Sequence, residues 1–341
     1  MKVLRVILCG LLISLCFAKQ QREEGHKEFM SAQIVFGKEV LDTSELQTEL
    51  PFYHFPQMKT VRSRERGTGT SRRYRDCNGE TLRSLSKQWE DEGWIILTPC
   101  SAVYNSFALD AAANLTSKCL DTNSVREVNA FTYDPHVRML AIDPETLYVL
   151  EALHGGVKPY PFQTLNFPRG TTQAIHNDLI HFSTHPQGMM AAAWIALEDI
   201  KSDSGPLEFY PGSHKLGMQY YEELGVQADG TDEERYADYE KQLAAYIVKK
   251  GLVKKTAPEM KKGQILMWAA ALLHGGSAIT NASSTRLSQV NHYYFEGVKH
   301  AWVPRMSRLD KGVVRMRNPS FSTNPKKYTV YRKAWMHGLC F

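Results

Sequence analysis

The apolar positions of this chain take up a regular rhythm at Thr81. From there LRSLSKQWEDEG carries Leu82, Leu85 and Trp89 at helical spacing, and the unbroken run Trp94, Ile95, Ile96, Leu97 has the character of a buried strand. The pattern predicts a second helix over residues 104–120, then strands over 160–167, 174–182, 189–197, 207–210, 264–268 and 288–295, separated by turn signals. Many short strands with long excursions predict a mainly β fold with flanking helices, a double-stranded β-helix of the cupin-type jelly roll. Residues 215–262 interrupt the strand series, and within them YYEEL and EERYADYEKQLAAYIVKK read as helix. This helical insertion is either a lid on the barrel or a solvated decoration of it.

Ahead of Thr81 the rhythm is missing. Residues 19–75 are charged and polar and end in SRERGTGTSRRYRD, which reads as a poorly ordered leader, although short apolar clusters at 31–40 and 52–55 could pack on the domain. The first 18 residues carry Lys2 and Arg5, then an apolar run over 6–17, then Cys16 and Ala18 at the positions a signal peptidase reads, so cleavage is expected after Ala18. That run is well short of the ~20 residues a membrane-spanning helix needs. The expected organisation is a signal peptide over 1–18, the leader over 19–75 and one jelly-roll domain over 76–341, with no membrane span. The expected location is the secretory lumen or outside the cell, and the C-terminal HGLCF carries no KDEL-type signal.

Composition changes this picture little. A chain of 341 residues with 43% hydrophobic and 11% aromatic content can bury the core of one large domain plus extensions. The formal charge of +5, or +3 once Lys2 and Arg5 leave with the signal, is too mild to argue for nucleic acid. Basic residues cluster over 62–75 and 299–333, read as solvated surface, with contact to an acidic glycan or membrane surface as the sharper alternative. The mature chain keeps Cys77, Cys100, Cys119 and Cys340, which allow three pairings and are expected to be structural disulfides in an oxidising compartment. Sequons at Asn114 and Asn281 fit secretion and N-glycosylation; Asn281 is expected at the tip of a hairpin between the strands carrying His274 and Arg286.

The candidate chemistry begins at His176-Asn177-Asp178, followed 96 residues after Asp178 by His274 and 12 residues further by Arg286. In an extended strand, residues two apart share a face, so His176 and Asp178 can present an imidazole and a carboxylate to one ion, with His274 arriving from a distant strand. Two histidines and one carboxylate on one face of an octahedron leave positions open, the arrangement of non-haem Fe(II) oxygenases. The guanidinium of Arg286 would grip the far carboxylate of a keto diacid such as 2-oxoglutarate through paired hydrogen bonds, while the other end chelates iron.

Four stretches give this a wider frame: the HxD at 176–178, GPLEFYPGSH at 205–214, GQILMW…HGG at 263–276, and Arg286. Together with WEDEGWIIL at 89–97, they resemble the phytanoyl-CoA dioxygenase family of Fe(II)/2-oxoglutarate oxygenases, over residues 87–296. The resemblance implies metal ligands His176, Asp178 and His274, with Arg286 binding 2-oxoglutarate and Trp194 walling its pocket. It also implies O2 as co-substrate, succinate and CO2 as products, and ascorbate as reductant. Relatives that halogenate carry a small residue at the carboxylate position, so Asp178 implies hydroxylation; the expected substrate is a small-molecule or lipid-like one, with a sugar derivative or a peptide side chain left open. Phytanoyl-CoA itself, an intracellular substrate, does not suit a secreted chain.

Other residues compete for roles. His181 and His185 read as pocket residues, His214 as structural, and His292 as either lining the pocket or packing in the sheet. Gln173 and Asn177 are candidates to fix the imidazoles from outside. Two other classes of function remain open: a secreted jelly-roll binding or matrix protein, which the intact triad and Arg286 argue against, and a cupin-like metalloenzyme without 2-oxoglutarate, which Arg286 argues against.

Overall fold

The computed structural model describes residues 40–42, 74–101, 107–122, 124–171, 173–185, 188–216, 224–226, 231–302 and 313–317. Its strands are β1 (Val40–Asp42), β2 (Trp94–Leu97), β3 (Glu127–Val128), β4 (Pro159–Phe167), β5 (Ser183–His185), β6 (Met190–Ala196), β7 (Leu207–Phe209), β8 (Lys255–Thr256), β9 (Ile265–Ala269), β10 (His274–Gly276), β11 (Ser288–Phe295), β12 (Lys299–Trp302) and β13 (Val313–Arg317). The α-helices are α1 (Leu82–Glu92), α2 (Phe107–Asp121), α3 (Pro135–Ala141), α4 (Pro144–Leu153) and α5 (Asp232–Lys249). A six-stranded sheet runs β2-β9-β6-β11-β4-β3, a three-stranded sheet β10-β7-β8, and a four-stranded sheet β1-β13-β12-β5, all paired antiparallel. This is the expected jelly-roll class with flanking helices, in sheets that do not close on themselves. No helix among the described residues is long and apolar enough to cross a membrane.

The centre of the large sheet explains the two-sided core. Every residue of β6 is buried. Ala191, Ala193 and Ile195 pack with Trp89, Val137 and Leu150 of the helical layer, while Ala192, Trp194 and Ala196 face the interior with Phe209 and Leu266. Alternation along the strand gives each set its own face. On the helical side, Thr81 and Ser84 form a capping box that starts α1, and Gly93 ends it with a left-handed φ of +83°. A Cβ on Gly93 would lie 2.4 Å from His214 Nδ1, so glycine there makes room for the PGSH turn. Pro135 and Pro144 open α3 and α4 behind the side-chain caps Asp134 and Asp143; neither helix was anticipated.

Other expectations need correction. Residues 174–182 are not a strand: the His176–His274 bridge is isolated, residues 178–180 form a 3-10 turn, and β5 follows separately. The helix expected over 104–120 runs over Phe107–Asp121. Cys77 and Cys100 form a disulfide, but Cys119 is buried in α2 with no disulfide partner among the described residues, and Cys340 lies outside them. Since β10 and β11 belong to different sheets, residues 277–287 cross between sheets and Asn281 is not at a hairpin tip. It is exposed, with Nδ2 donating to Asp203 Oδ2 at 3.1 Å, and Asn114 is exposed on α2. Most of the 19–75 stretch, YYEEL apart from Leu224, and most of 299–333 lie outside the described residues; β1, within the first of these, pairs with β13. The longer predicted insertion helix is α5. Its buried Tyr239, Leu243 and Ile247 pack with Ile180 and Leu273, so it rests beside the residues that flank Asp178 and His274.

Candidate metal centre and carboxylate clamp

Backbone hydrogen bonds bring the predicted ligands together. The His176 N–H donates to the His274 carbonyl at 2.9 Å, and the His274 N–H returns the bond at 2.8 Å. Asn177 stays extended (φ −118°, ψ 153°), and the Asp178 N–H donates to the Ala270 carbonyl at 2.8 Å before the chain turns. One extended residue, rather than a strand, therefore puts His176 and Asp178 on one side. The three side chains are buried, and each offers a ligand atom within 4.8 Å of the others.

The protonation of these groups follows from their second contacts. His176 Nδ1 lies 2.9 Å from the Ala174 carbonyl, and His274 Nδ1 lies 2.9 Å from the Leu272 carbonyl. A carbonyl only accepts, so each Nδ1 carries the hydrogen and each Nε2 presents a lone pair. Burial lowers both pKa values to about 4, which keeps the rings neutral as metal ligands require. Asp178 Oδ2 accepts the Trp268 indole N–H at 2.8 Å. Its Oδ1 faces His176 Nε2 at 4.0 Å and His274 Nε2 at 3.6 Å. With neutral rings these are donor atoms ranged around one point, not ion pairs. Two imidazole nitrogens and one carboxylate oxygen suit a first-row divalent ion such as iron, and the outer atom of each ligand is already held by the protein. Gln173 departs from its expected place, because its Nε2 lies 3.2 Å from the Nε2 of His176, on the metal-facing side. The imidazole is fixed from outside by the Ala174 carbonyl instead.

The second part of the site is a buried cation with unpaired neighbours. Arg286 is 2% exposed; its guanidinium donates to the Gly205 carbonyl and lies over the Trp194 ring, with Cζ 5.6 Å from the centroid. Burial lowers its pKa to about 10, so it remains a cation at neutral pH. Three donors on this side, Arg286 Nε, Trp194 Nε1 and Ser288 Oγ, are buried and lack a hydrogen-bond partner among the described residues. Trp194 pairs with Val290 and Ala196 with Ser288 across β6 and β11, so Trp194 and Ser288 face the same side. A bound carboxylate would satisfy these donors and the charge together. Ser288 was missed in the sequence; the available signal was its place two residues after Arg286, in phase with it.

The remaining histidines separate clearly. His292 lines the site, with Nε2 3.8 Å from Asp178 Oδ1. His181 has its ring centroid 5.8 Å from that of His176 and stacks on Tyr236 of α5 at 6.2 Å. His214 is structural: it is buried, with Nε2 3.2 Å from the Glu90 carbonyl. The side chain of His185 lies outside the described set.

Residues 113–287 match the family model described as phytanoyl-CoA dioxygenase (PhyH). No curated protein sequence gives a significant match. Among solved structures, the fold is similar to that of the non-heme alpha ketoglutarate dependent carbocyclase SnoK from nogalamycin biosynthesis, at 15% identity over 67% of this chain and 88% of that one, with a TM-score of 0.51. It is similar too to the epimerase SnoN in complex with Fe3+, alpha ketoglutarate and nogalamycin RO, at 18% identity over 67% of this chain and 90% of that one, with a TM-score of 0.50. At such identities the likeness is one of fold.

Proposed function

The chain belongs to the phytanoyl-CoA dioxygenase family, and on that premise we propose that it is an Fe(II)- and 2-oxoglutarate-dependent dioxygenase that hydroxylates a C–H bond of a small-molecule or lipid-like substrate. The observation that carries this reading is the convergence of two Nε2 lone pairs and Asp178 Oδ1, each ligand held from behind, by the Ala174 and Leu272 carbonyls and the Trp268 indole. Bound iron and 2-oxoglutarate supply the oxidising chemistry: O2 is consumed, 2-oxoglutarate becomes succinate and CO2, and one oxygen atom enters the C–H bond as a hydroxyl group. His176, His274 and Asp178 would hold the metal, and the carboxylate at position 178 is what favours hydroxylation over halogenation. Arg286 takes the distal carboxylate, with Trp194 beneath its guanidinium and Ser288 on the same face of the sheet as Trp194. The neighbouring buried side chains keep bulk water from these contacts, which strengthens them.

Anaerobic titration of the mature protein with Fe(II) and then 2-oxoglutarate tests the proposal. A weak visible charge-transfer band that needs both additions is the expected result. A folded protein that gives no band would sink the reading and leave the non-catalytic jelly-roll protein or a metalloenzyme that does not use 2-oxoglutarate. We also place the mature enzyme in the secretory lumen or outside the cell, supported by the signal-like first 18 residues and by the Cys77–Cys100 disulfide. An amino terminus at Lys19 in protein recovered from culture medium is the expected outcome, and retention of an intact, unprocessed chain inside the cell would refute it.

A further inference from the structure

The site-facing side of β11 is a row with two unlike ends. Ser288, Val290, His292 and Tyr294 occupy alternate positions, with Arg286 in phase just ahead of the strand. Arg286 and His292 are thus about 20 Å apart along the backbone at roughly 3.3 Å per residue. The clamp for a carboxylate stands at one end of this row, and His292 stands at the other, beside Asp178. A co-substrate reaching from the triad toward Arg286 leaves the His292 end for the molecule that reacts.

His292 differs from the other two imidazoles beside Asp178. Its Nδ1 is buried with no partner among the described residues, and its Nε2 stops 3.8 Å from Asp178 Oδ1, beyond hydrogen-bond reach. It is 5% exposed, so water does not replace the missing bonds freely. Aromatic rings surround it: Phe182 at 5.8 Å and Phe162 at 6.1 Å, with Phe162 stacked on Tyr294 at 3.7 Å. Phe182, His181 and Tyr236 are half-buried, so the ring series continues from the triad to the surface. Among the described residues, the charged groups facing His292 are Asp178 and the imidazoles of His274, His181 and His176, and none is a lysine or arginine.

We infer that the substrate is a small uncharged molecule with a ring or compact apolar body and one hydrogen-bonding oxygen next to the carbon that reacts. Phe162, Phe182 and Tyr294 hold the body and His292 binds the oxygen. This deepens the dioxygenase reading and rests on it. A carboxylate or phosphate at this end would lose its hydration with no lysine or arginine among the described residues to pair with it there. A neutral hydroxyl or carbonyl would complete the hydrogen bonding of an imidazole that otherwise has none.

The test uses the full chain loaded with Mn(II) and 2-oxoglutarate, with benzyl alcohol and benzoate as probes, and reads the paramagnetic broadening of probe protons. Benzyl alcohol is expected to bind about tenfold more tightly than benzoate, and His292→Phe to weaken benzyl alcohol by about tenfold, the scale of one hydrogen bond. The loss in His292→Phe should be several times larger than any change in its affinity for 2-oxoglutarate, and His292→Gln, which keeps a donor and an acceptor, should recover part of it. Equal binding of the two probes, no broadening of either, or unaltered benzyl alcohol affinity in both variants overturns the inference. If the wild-type chain takes up no Mn(II), seen as unchanged water-proton relaxation, the dioxygenase reading falls and takes the inference with it. Metal and 2-oxoglutarate binding with the opposite probe preference removes the inference alone.

Discussion

Trp268 shows how a residue outside the ligand set can decide what a ligand does. Its indole N–H holds Asp178 Oδ2 at 2.8 Å and so aims Oδ1 at the two imidazoles. Trp268→Phe keeps the bulk and removes the donor; Fe(II) affinity should fall at least about tenfold, as for other losses of a hydrogen bond behind a metal ligand. Metal titration of the folded variant checks this, and unchanged affinity would remove Trp268 from the site. Arg286→Ala should raise the 2-oxoglutarate concentration required by roughly 10- to 100-fold, since a charge-assisted contact contributes about 1.5–3 kcal/mol. Fe(II) should still bind. Arg286→Lys should rescue little, because a lysine cannot reproduce the planar fork over Trp194. The candidate triad and Arg286 could be singled out in the sequence because their side-chain chemistry is rare in that combination, and the fold brings the three candidate ligands together. Trp268 and Ser288 were not, because their roles depend on what lies opposite them across strands.

Among the elements, the His-Gly-Gly stretch of β10 and the segment before His176 define one another. A Cβ on Gly276 would lie 1.6 Å from the Thr171 carbonyl oxygen, and one on Gly275 would lie 2.9 Å from that of Gln173. The backbones run too close for any side chain, and that closeness is what sets the His176–His274 bridge. Gly276→Ala should therefore cost at least about 3 kcal/mol and lose metal binding together with stability; thermal unfolding alongside a metal titration reads both, and a variant with normal stability and binding would show that the contact yields. The strand expected over residues 174–182 failed for a related reason. Apart from the single bridge at His176, no described strand lies alongside to pair with it, so the Asp178 carbonyl takes the N–H groups of His181 and Phe182 instead. In α5, the spacing of Tyr239, Leu243 and Ile247 announced one buried face. It did not announce that this face would meet Ile180 and Leu273, which neighbour two of the ligands.

For the molecule as a whole, the large sheet separates a helical layer from a chemical interior, and histidines occur on both sides. His154 belongs to the helical side, 3.8 Å from Phe295 in a stacked pair and edge-on to Trp89. Burial pushes its pKa down from 6.5 to about 4. The unfolded chain then binds the proton more readily than the folded one between these values, so the contribution of His154 is full above about pH 6.5 and is lost as pH falls toward 4. Between pH 7 and pH 5 the expected loss is about 2 kcal/mol, and His154→Phe should remove that part of the pH slope. Urea unfolding at the two pH values measures it; an identical slope in the variant would mean that His154 is not the group responsible. The sequence by itself determined the class of fold, the spans of six of the thirteen described strands, the longer helix of the insertion and the candidates for triad and clamp, because period and side-chain chemistry are local properties written in every copy of the chain. Only the tertiary structure decided which imidazole nitrogen carries the hydrogen, which buried donors stand unpaired among the described residues, that His292 lies beside Asp178, and that Cys77 pairs with Cys100. Those depend on contacts between residues far apart in sequence, whose distances no local pattern contains.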